Sequence, residues 1–278
     1  MNVMAYLGLG IAHERMGAPC QDAVRWRVSG DGKAVMALSD GAGAAEFAKE
    51  AAEMTAQSAL DFFLSVPLPE FLAREESEQK EDILRAVREA LKLHPAYQHE
   101  NADAFSATLL FAVAEGNHIL FGHLGDGAIY ATDNAGELAY ESEPESRGER
   151  GTYFAVNPQA SQHLRLETRN AEDISGAVLL SDGPYAMFRN RGGGMARETA
   201  KELLNYAREG RLTRRDELRD ALSQMAEFPG ERLDDWSVLL FTRNQESSLD
   251  ASEPETVSML KEETEKYQSG GKRNVSSV

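Results

Sequence analysis

The sequence predicts an α+β domain built from antiparallel sheets. Apolar β-rich runs and amphipathic helical runs come in blocks along the 278 residues, without the strict alternation that a doubly wound parallel sheet requires. Two of the β-rich runs, 108–114 and 118–124, are joined by Glu115-Gly116-Asn117, a sequence typical of hairpin turns. Because 42% of the residues are hydrophobic, the chain can fill one substantial core.

The first elements are predicted to be a buried strand and two helices. Residues 34–39 form the strand. An apolar helical repeat follows from about 44 to 64, and its inner face is marked by Phe47, Ala51, Met54, Ser58 and Phe62. A second repeat covers about 77–93, and Pro67 and Pro69 separate the two helices.

The later elements are predicted to be three short strands and two amphipathic helices. The strands cover 128–131, 177–181 and 237–241. The helices cover 196–209 and 215–225, between the last two strands.

The polar segments are predicted to lie outside the sheets. Residues 141–158 are charged and lack a sustained period, so we expect an exposed loop beside a substrate groove. We expect a hinge at Gly192-Gly193-Gly194, since no P-loop lysine follows it. The composition becomes rich in serine and charge near residue 244, which predicts a folded domain over 1–243 and a flexible polar tail over 244–278.

Charge and cysteine content exclude several classes of protein. The net charge of −17 opposes binding to nucleic acid, because that affinity comes largely from lysine and arginine. The single cysteine, Cys20, excludes an internal disulfide framework and indicates a reducing compartment. No uninterrupted apolar stretch approaches the length of a membrane span. We therefore expect a soluble, cytoplasmic protein with no membrane partner.

Four apolar runs stop at an aspartate that is followed by glycine or a second acid. The pairs are Asp40-Gly41, Asp126-Gly127, Asp182-Gly183 and Asp234-Asp235. Carboxylates brought together at converging strand ends repel one another unless a hard cation lies between them, and Mg²⁺ or Mn²⁺ prefers such oxygen ligands. Each pair taken alone fits equally well an Asx turn that caps a helix. The four together predict a metal-dependent enzyme.

The order of five motifs resembles the metal-dependent protein phosphatases of the protein phosphatase 2C type, in particular their compact bacterial branch. The resemblance covers about residues 8–243. It implies a catalytic domain folded as a four-layer α-β-β-α sandwich, with two antiparallel sheets flanked by helices. The motifs are His13 with Gly17 through Asp22, Ser39 through Gly43, Ser106-Ala107-Thr108 with His123 through Asp126, Leu180 through Gly183, and Asp234 through Ser237.

The same resemblance implies a dinuclear centre of Mn²⁺ or Mg²⁺ ions. Asp40 would bridge the two ions, and the carbonyl of Gly41 would bind one of them. Asp182 and Asp234 would ligate the other, so that Asp40, Asp182 and Asp234 form the implied catalytic set. Asp22 would act through a bound water.

The implied reaction is hydrolysis of phosphoserine or phosphothreonine in proteins, opposing a serine/threonine kinase. A water activated by the two ions attacks phosphorus directly, so no covalent phosphoenzyme is required. Asp126 matches the family aspartate associated with a third, weaker metal site. The phosphoprotein and the oligomeric state are left open by the sequence.

The chain departs from common family residues at several positions. Gly17 occupies a position where many members carry a phosphate-binding arginine, and Arg15 is the nearest guanidinium candidate. Gln21 stands for glutamate, Ala42 for histidine and Ala186 for aspartate. These changes keep open a second hypothesis, a catalytically silent phosphatase-like module that binds a phosphoprotein or a regulatory partner.

Three other reactive side chains are predicted to be structural. His13 and His123 are interpreted as hydrogen-bonded core histidines. Cys20 is interpreted as a packing residue, because no base partner is evident for it. A two-metal nuclease would use similar carboxylates, but the negative net charge disfavours it.

Overall fold

The computed structural model describes residues 1–144, 152–190, 196–225 and 234–243. This part of the chain forms two antiparallel five-stranded sheets with helices packed outside them, which confirms the predicted α+β sandwich. Among the described residues, no helix combines the length and the apolar character needed to cross a bilayer.

Each sheet contains strands from distant parts of the sequence. Sheet I has the order β2 (Asp22–Val28), β3 (Ala34–Asp40), β4 (Leu109–Glu115), β5 (His118–Leu124) and β8 (Arg165–Asn170). Sheet II has the order β1 (Asn2–Gly8), β10 (Trp236–Thr242), β9 (Gly176–Leu180), β6 (Ala128–Thr132) and β7 (Leu138–Ser142). All neighbouring strands are antiparallel.

The described helices connect or follow these strands. Their bounds are α1 (Ile11–Met16), α2 (Ala48–Ser65), α3 (Leu68–Leu72), α4 (Glu76–Leu91), α5 (Ala160–His163), α6 (Asp182–Asn190), α7 (Ala196–Arg208) and α8 (Arg215–Met225). Helix α2 packs on sheet I and α4 packs on α2, whereas α6 and α7 pack on sheet II and α8 packs on β1. The layers are therefore helix, sheet, sheet and helix.

The central strands are apolar on both faces because each face meets a different layer. Along β3, Val35 and Ala37 face the helices, whereas Met36 and Leu38 face the opposite sheet. This alternation follows from the two-residue period of a strand. It explains why the strands read in the sequence as continuous apolar runs and not as alternating ones.

Helix α2 presents a row of small residues to sheet I. Its fully buried positions are Ala48, Ala51, Ala52, Thr55, Ala56, Ala59, Leu60 and Phe63. Of the predicted inner-face residues, Met54, Ser58 and Phe62 are only half-buried, although Met54 and Phe62 still pack against the core. Alanine side chains allow the helix to approach the sheet closely, and Leu60 and Phe63 fill the contact near its C-terminal end.

Several predicted boundaries also differ from the structure. Helix α2 begins at Ala48, four residues later than predicted, because 42–47 form turns. The short helix α3 lies where only a proline break was expected, and Pro69 occupies its first turn. The predicted loop at 141–158 begins inside β7, whose last residue is Ser142.

Some predictions concern residues that the structure does not describe. The predicted hinge at 192–194 and the predicted tail at 244–278 both lie outside the described residues. So does part of the predicted loop, at 145–151.

Gly122 of β5 provides a test of packing in sheet I. It pairs with Phe111 across β4 and β5, and a Cβ atom added at Gly122 would lie 1.9 Å from the Phe111 ring. We expect Gly122→Ala to lower the free energy of unfolding by about 1–3 kcal/mol, because the buried ring must move. Chemical denaturation measures this loss.

Gly30→Ala is the matched control, since no atom lies within 4 Å of the added Cβ there. In a double-mutant cycle, Phe111→Leu should remove much of the effect of Gly122→Ala, because the smaller side chain vacates that space. Additive effects of the two substitutions would contradict this account of the contact.

Candidate active site

The predicted acidic residues converge at one edge of the two sheets. Asp22 and Asp40 are opposite each other in the register of β2 and β3 in sheet I. Asp182 begins helix α6 directly after β9, and Asp234 lies two residues before β10 in sheet II. Strands β9 and β10 are antiparallel neighbours, so the end of one lies beside the start of the other.

Three of these carboxylates form a compact cluster. Oxygen atoms of Asp40, Asp126 and Asp182 all lie within 4.8 Å of one another. The sequence predicted Asp126 only for a third metal site, whereas in the structure its carboxylate lies beside those of the two central aspartates.

Thr108 holds the end of β3 in place. The Thr108 side-chain oxygen accepts a hydrogen bond from the backbone N–H of Asp40 at 2.9 Å, and the Thr108 backbone N–H donates to the Asp40 carbonyl at 2.8 Å. The Ser39 hydroxyl donates to the Thr108 carbonyl at 2.6 Å. These contacts bind the Asp40 backbone on both sides, so the direction of its carboxylate is fixed by sheet I.

The glycines after Asp40 and Asp182 are required by close backbone contacts. A Cβ at Gly41 would lie 2.1 Å from the carbonyl oxygen of Ala48, and one at Gly183 would lie 2.3 Å from that of Asp235. Neither glycine is among those with positive φ. An Asx turn was the alternative that the sequence left open for each pair alone, and in the structure these two glycines allow two backbone segments to approach each other.

Two buried serines link the Asp182 and Asp234 ends of sheet II. The Ser181 N–H donates to the Ser237 carbonyl, and the Ser237 N–H donates to the Ser181 hydroxyl oxygen, both at 3.0 Å. Asp22 of sheet I lies near acids on the sheet II side, because burial and then the charges of Asp235 and Asp182 raise its pKa.

Burial and mutual repulsion raise the pKa of the central carboxyl groups. Burial raises the pKa of Asp182 to about 7, with further contributions from the charges of Asp234 and Asp126. The pKa of Asp22 rises to about 7, mainly through burial and also through the charge of Asp235. Burial together with the charges of Asp22 and Asp182 raises the pKa of Asp40 well above its ordinary value. A bound cation would offset this repulsion.

Three buried oxygen atoms at the site have no hydrogen-bond partner in the described part of the protein. They are Oδ2 of Asp22, Oε1 of Gln21 and the hydroxyl oxygen of Ser237. Such orphaned acceptors are uncommon in protein interiors, and an ion or an ordered water satisfies them. Together with the cluster of Asp40, Asp126 and Asp182, they fit a site for hard divalent cations.

The consecutive acids at the start of β10 have different environments. Asp234 is exposed, and its Oδ1 accepts a hydrogen bond from the backbone N–H of Asp235 at 2.8 Å. Its charge acts on both Asp40 and Asp182. Asp235 is buried and points into the protein, toward Gly10 and Gln21. The Asp-Asp motif alone did not reveal that one acid is exposed and the other buried, and it predicted no role for Asp235.

Asp126 also contacts the segment that follows residue 151. The Thr152 hydroxyl donates a short hydrogen bond to Oδ2 of Asp126. Three residues later, the Ala155 N–H donates to the Ala107 carbonyl, next to the bridge between Ala107 and Gly41. This segment therefore borders the site, as the predicted groove requires, although no sequence pattern marked Thr152.

The remaining reactive residues have structural environments. Nδ1 of His123 lies 2.9 Å from the Ser142 hydroxyl and 2.8 Å from the Arg165 guanidinium, and burial lowers its pKa to about 3. Burial, followed by the charge of Asp22, raises the pKa of the Cys20 thiol, so it is not a thiolate nucleophile. Arg15 and Gly17 are exposed at the end of α1.

Comparisons with known proteins identify the family and agree with the arrangement of the sheets. The family model described as "Protein phosphatase 2C" matches residues 9–223, which is more than half of the chain. The chain therefore belongs to the protein phosphatase 2C family. No curated protein sequence matches it significantly.

Solved structures of bacterial phosphatases share the fold at low sequence identity. The serine/threonine phosphatase Stp1 from Staphylococcus aureus has 13% identity and a TM-score of 0.60, with 87% of this chain and 94% of that chain covered. For the Mycobacterium tuberculosis phosphatase PstP/Ppp, the identity is 19%, the TM-score is 0.56 and the coverage is 87% and 98%. RsbX, solved in complex with magnesium, has 13% identity, a TM-score of 0.51 and coverage of 85% and 92%.

The raised pKa of Asp182 predicts a pH dependence of stability without metal. Between its ordinary value of 3.8 and about 7, the folded state binds more protons at this group than the unfolded state does. Its contribution to stability is therefore present at low pH and lost as pH rises through about 7. In the presence of a chelator, we expect the melting temperature of the wild type to fall relative to that of Asp182→Asn as the pH rises over that range. Thermal unfolding at a series of pH values measures this difference.

Asp133→Asn is the matched control for this measurement. Asp133 lies at the other end of β6 from Asp126, and its Oδ1 accepts the backbone N–H groups of Ala135 and Glu137, both at 2.9 Å. We expect Asp133→Asn to keep the wild-type pH dependence. Parallel curves for wild type and Asp182→Asn would contradict the raised pKa of Asp182.

Proposed function

We propose that the protein hydrolyses phosphoserine or phosphothreonine in proteins at a dinuclear Mn²⁺ or Mg²⁺ centre. The observation that carries the proposal is the cluster of Asp40, Asp126 and Asp182, three carboxylates that meet within 4.8 Å at one edge of a protein phosphatase 2C fold. Structural similarity to bacterial serine/threonine phosphatases supports the substrate class.

The residues available to hold the ions come from both sheets. Asp40 would lie between the two ions. The Gly41 carbonyl would hold one of them, with Asp22 and Gln21 acting on that side through water, since both carry an orphaned buried oxygen. Asp182 and Asp234 would hold the other. In these assignments, residues at the strand ends of both sheets contribute to the centre.

The side chains of the site prepare it for phosphoryl transfer without forming a covalent bond to phosphorus. When bound, two divalent cations supply a water nucleophile at neutral pH and positive charge opposite the phosphoryl oxygens. Asp40 and Asp182 would hold the ions as ionised carboxylates. Thr108 fixes the Asp40 backbone, so the carboxylate need not reorganise during the reaction.

The leaving serine or threonine oxygen takes its proton from solvent in this proposal. Ala42 occupies the position at which some family members carry a histidine, and His123 is buried beside Arg165 with a pKa of about 3. Alanine has no ionisable group, and a histidine with this pKa is not protonated at neutral pH, so neither side chain supplies the proton. A solvent proton source predicts a shallow dependence of turnover on pH at saturating metal.

A third ion would bind at Asp126 in this proposal. The Thr152 hydroxyl occupies Oδ2 of Asp126, so a third ion would replace or rearrange that hydrogen bond. The requirement to displace Thr152 accounts for a weaker site. RsbX, whose structure is in complex with magnesium, supports a hard divalent ion as the cofactor.

The cellular role we infer is reversal of a serine/threonine kinase in the cytoplasm. The net charge of −17 favours substrates or partners with basic surfaces near the phosphorylated residue. Nucleic acid is disfavoured as a substrate for the same reason.

The activity test uses p-nitrophenyl phosphate and a phosphothreonine peptide with Mn²⁺. We expect Asp40→Asn and Asp182→Asn each to lower turnover by at least about 100-fold, because each removes a charged ligand from the centre. Asp133→Asn, which alters a carboxylate that also accepts backbone N–H groups but lies at the other end of β6, should retain wild-type turnover. A chelator should abolish turnover, and Mn²⁺ or Mg²⁺ should restore it.

Calorimetry with Mn²⁺ separates the enzyme from the catalytically silent module. Metal binding together with turnover supports the enzyme. Binding of a phosphoprotein without metal binding or turnover supports the module, which Gly17, Gln21 and Ala42 keep under consideration. Unchanged turnover in both Asp40→Asn and Asp182→Asn would refute the proposed site.

A further inference from the structure

Asp235 is a buried carboxylate beside the proposed metal centre that the proposed reaction does not use. Only 2% of its surface is exposed, whereas the preceding Asp234 is exposed. A buried charge is stable only where donors surround it. The groups around Asp235 therefore identify what it holds in place.

The donors around Asp235 come from one segment, residues 10–21. Oδ1 accepts the backbone N–H of Gly10 at 2.8 Å, and Oδ2 accepts that of Gln21 at 2.7 Å. Nδ1 of His13 lies 2.9 Å from Oδ2. Gly10 is the N-cap of α1, so Asp235 contacts both ends of the segment that contains this helix.

Gln21, which Asp235 contacts, also contacts the backbone of the proposed metal ligands. While the Gln21 N–H donates to Asp235, the Gln21 carbonyl accepts the N–H of Gly41 at 3.0 Å. Gln21 is followed by Asp22, which lies opposite Asp40 in the strand register. A single residue, Gln21, therefore connects Asp235 with Gly41, whose carbonyl is a proposed ligand.

An amide side chain could not make the same set of contacts. A carboxylate offers two acceptor oxygens, and the two N–H groups of Gly10 and Gln21 each use a different one. Asparagine would offer one acceptor and turn an NH₂ group toward the other donor. The negative charge of Asp235 also opposes ionisation of Asp22, so it has an electrostatic cost that its contacts must offset.

We propose that Asp235 is a positioning residue that sets the metal affinity of the site. By holding Gly10, His13 and Gln21, it fixes the Gln21–Asp22 edge and the Gly41 carbonyl for the ion proposed on that side of Asp40. The inference rests on the proposed function, since it assumes that Asp40 and Gly41 bind a cation. Asp235 itself does not touch the ion or the substrate.

The test compares Mn²⁺ binding to metal-free wild type and Asp235→Asn by calorimetry. We expect the dissociation constant for the first Mn²⁺ to rise by about 10- to 100-fold, as for other groups that orient metal ligands. Turnover at saturating Mn²⁺ should change much less than the half-activating Mn²⁺ concentration. The control is Asp133→Asn, because Asp133 also accepts two backbone N–H groups but lies away from the site.

A second measurement tests the hydrogen bonds of Asp235 in the absence of metal. Hydrogen exchange of the Gly10 and Gln21 amides should be faster in Asp235→Asn than in wild type, and unchanged in Asp133→Asn. If Asp235→Asn does not fold, His13→Ala keeps both backbone contacts of Asp235 and should show a smaller loss of Mn²⁺ affinity in the same direction.

The outcomes separate this inference from the proposed function. If the wild type binds Mn²⁺ but does not hydrolyse phosphopeptides, the proposed function is refuted. In that case the Mn²⁺ dissociation constants of wild type and Asp235→Asn still decide the role of Asp235. Active wild type together with unchanged Mn²⁺ affinity in Asp235→Asn and His13→Ala overturns the inference alone. Wild type that binds no Mn²⁺ overturns both.

Discussion

The repulsion among buried carboxylates is the constraint on which the site depends. Asp22, Asp40 and Asp182 are held close together by two separate sheets, and burial makes their joint ionisation unfavourable. A fold optimised only for stability would not keep this arrangement. A bound cation would relieve the repulsion, so the electrostatic cost of the cluster and the metal affinity that we propose for it have the same origin.

The fold holds these groups together by rigid backbone contacts rather than by side-chain length. Sheet I fixes Asp40 through Thr108, and sheet II supplies Asp182 at the start of α6. Gly41 and Gly183 remove the side chains that would keep neighbouring backbones apart. The distances in the centre therefore follow from how the two sheets and the first turn of α2 pack, which explains why so short an aspartate side chain suffices at each position.

Sequence patterns predicted the parts of the structure in which local and tertiary preferences agree. The β4–β5 hairpin and the apolar strand β3 were predicted because two covering layers make such strands apolar throughout. Strands β1, β2, β7 and β8 were missed, and all four are edge strands with many half-exposed residues, so they lack the continuous apolar run of a central strand. The inner face of α2 was misplaced because its contact uses alanine, a weak hydrophobic signal. Asp234 and Asp235 look equivalent in the sequence, because only the folded structure exposes the first and buries the second.

The buried contact of His123 with Ser142 has a consequence for the alignment of the two sheets. His123 belongs to β5 of sheet I and Ser142 to β7 of sheet II, so this polar contact joins the two sheets beside an apolar cluster. Apolar contacts have no preferred direction, whereas a hydrogen bond between two residues favours one alignment. Because burial and Arg165 keep the imidazole neutral down to about pH 3, that alignment does not change with the acidity of the cell.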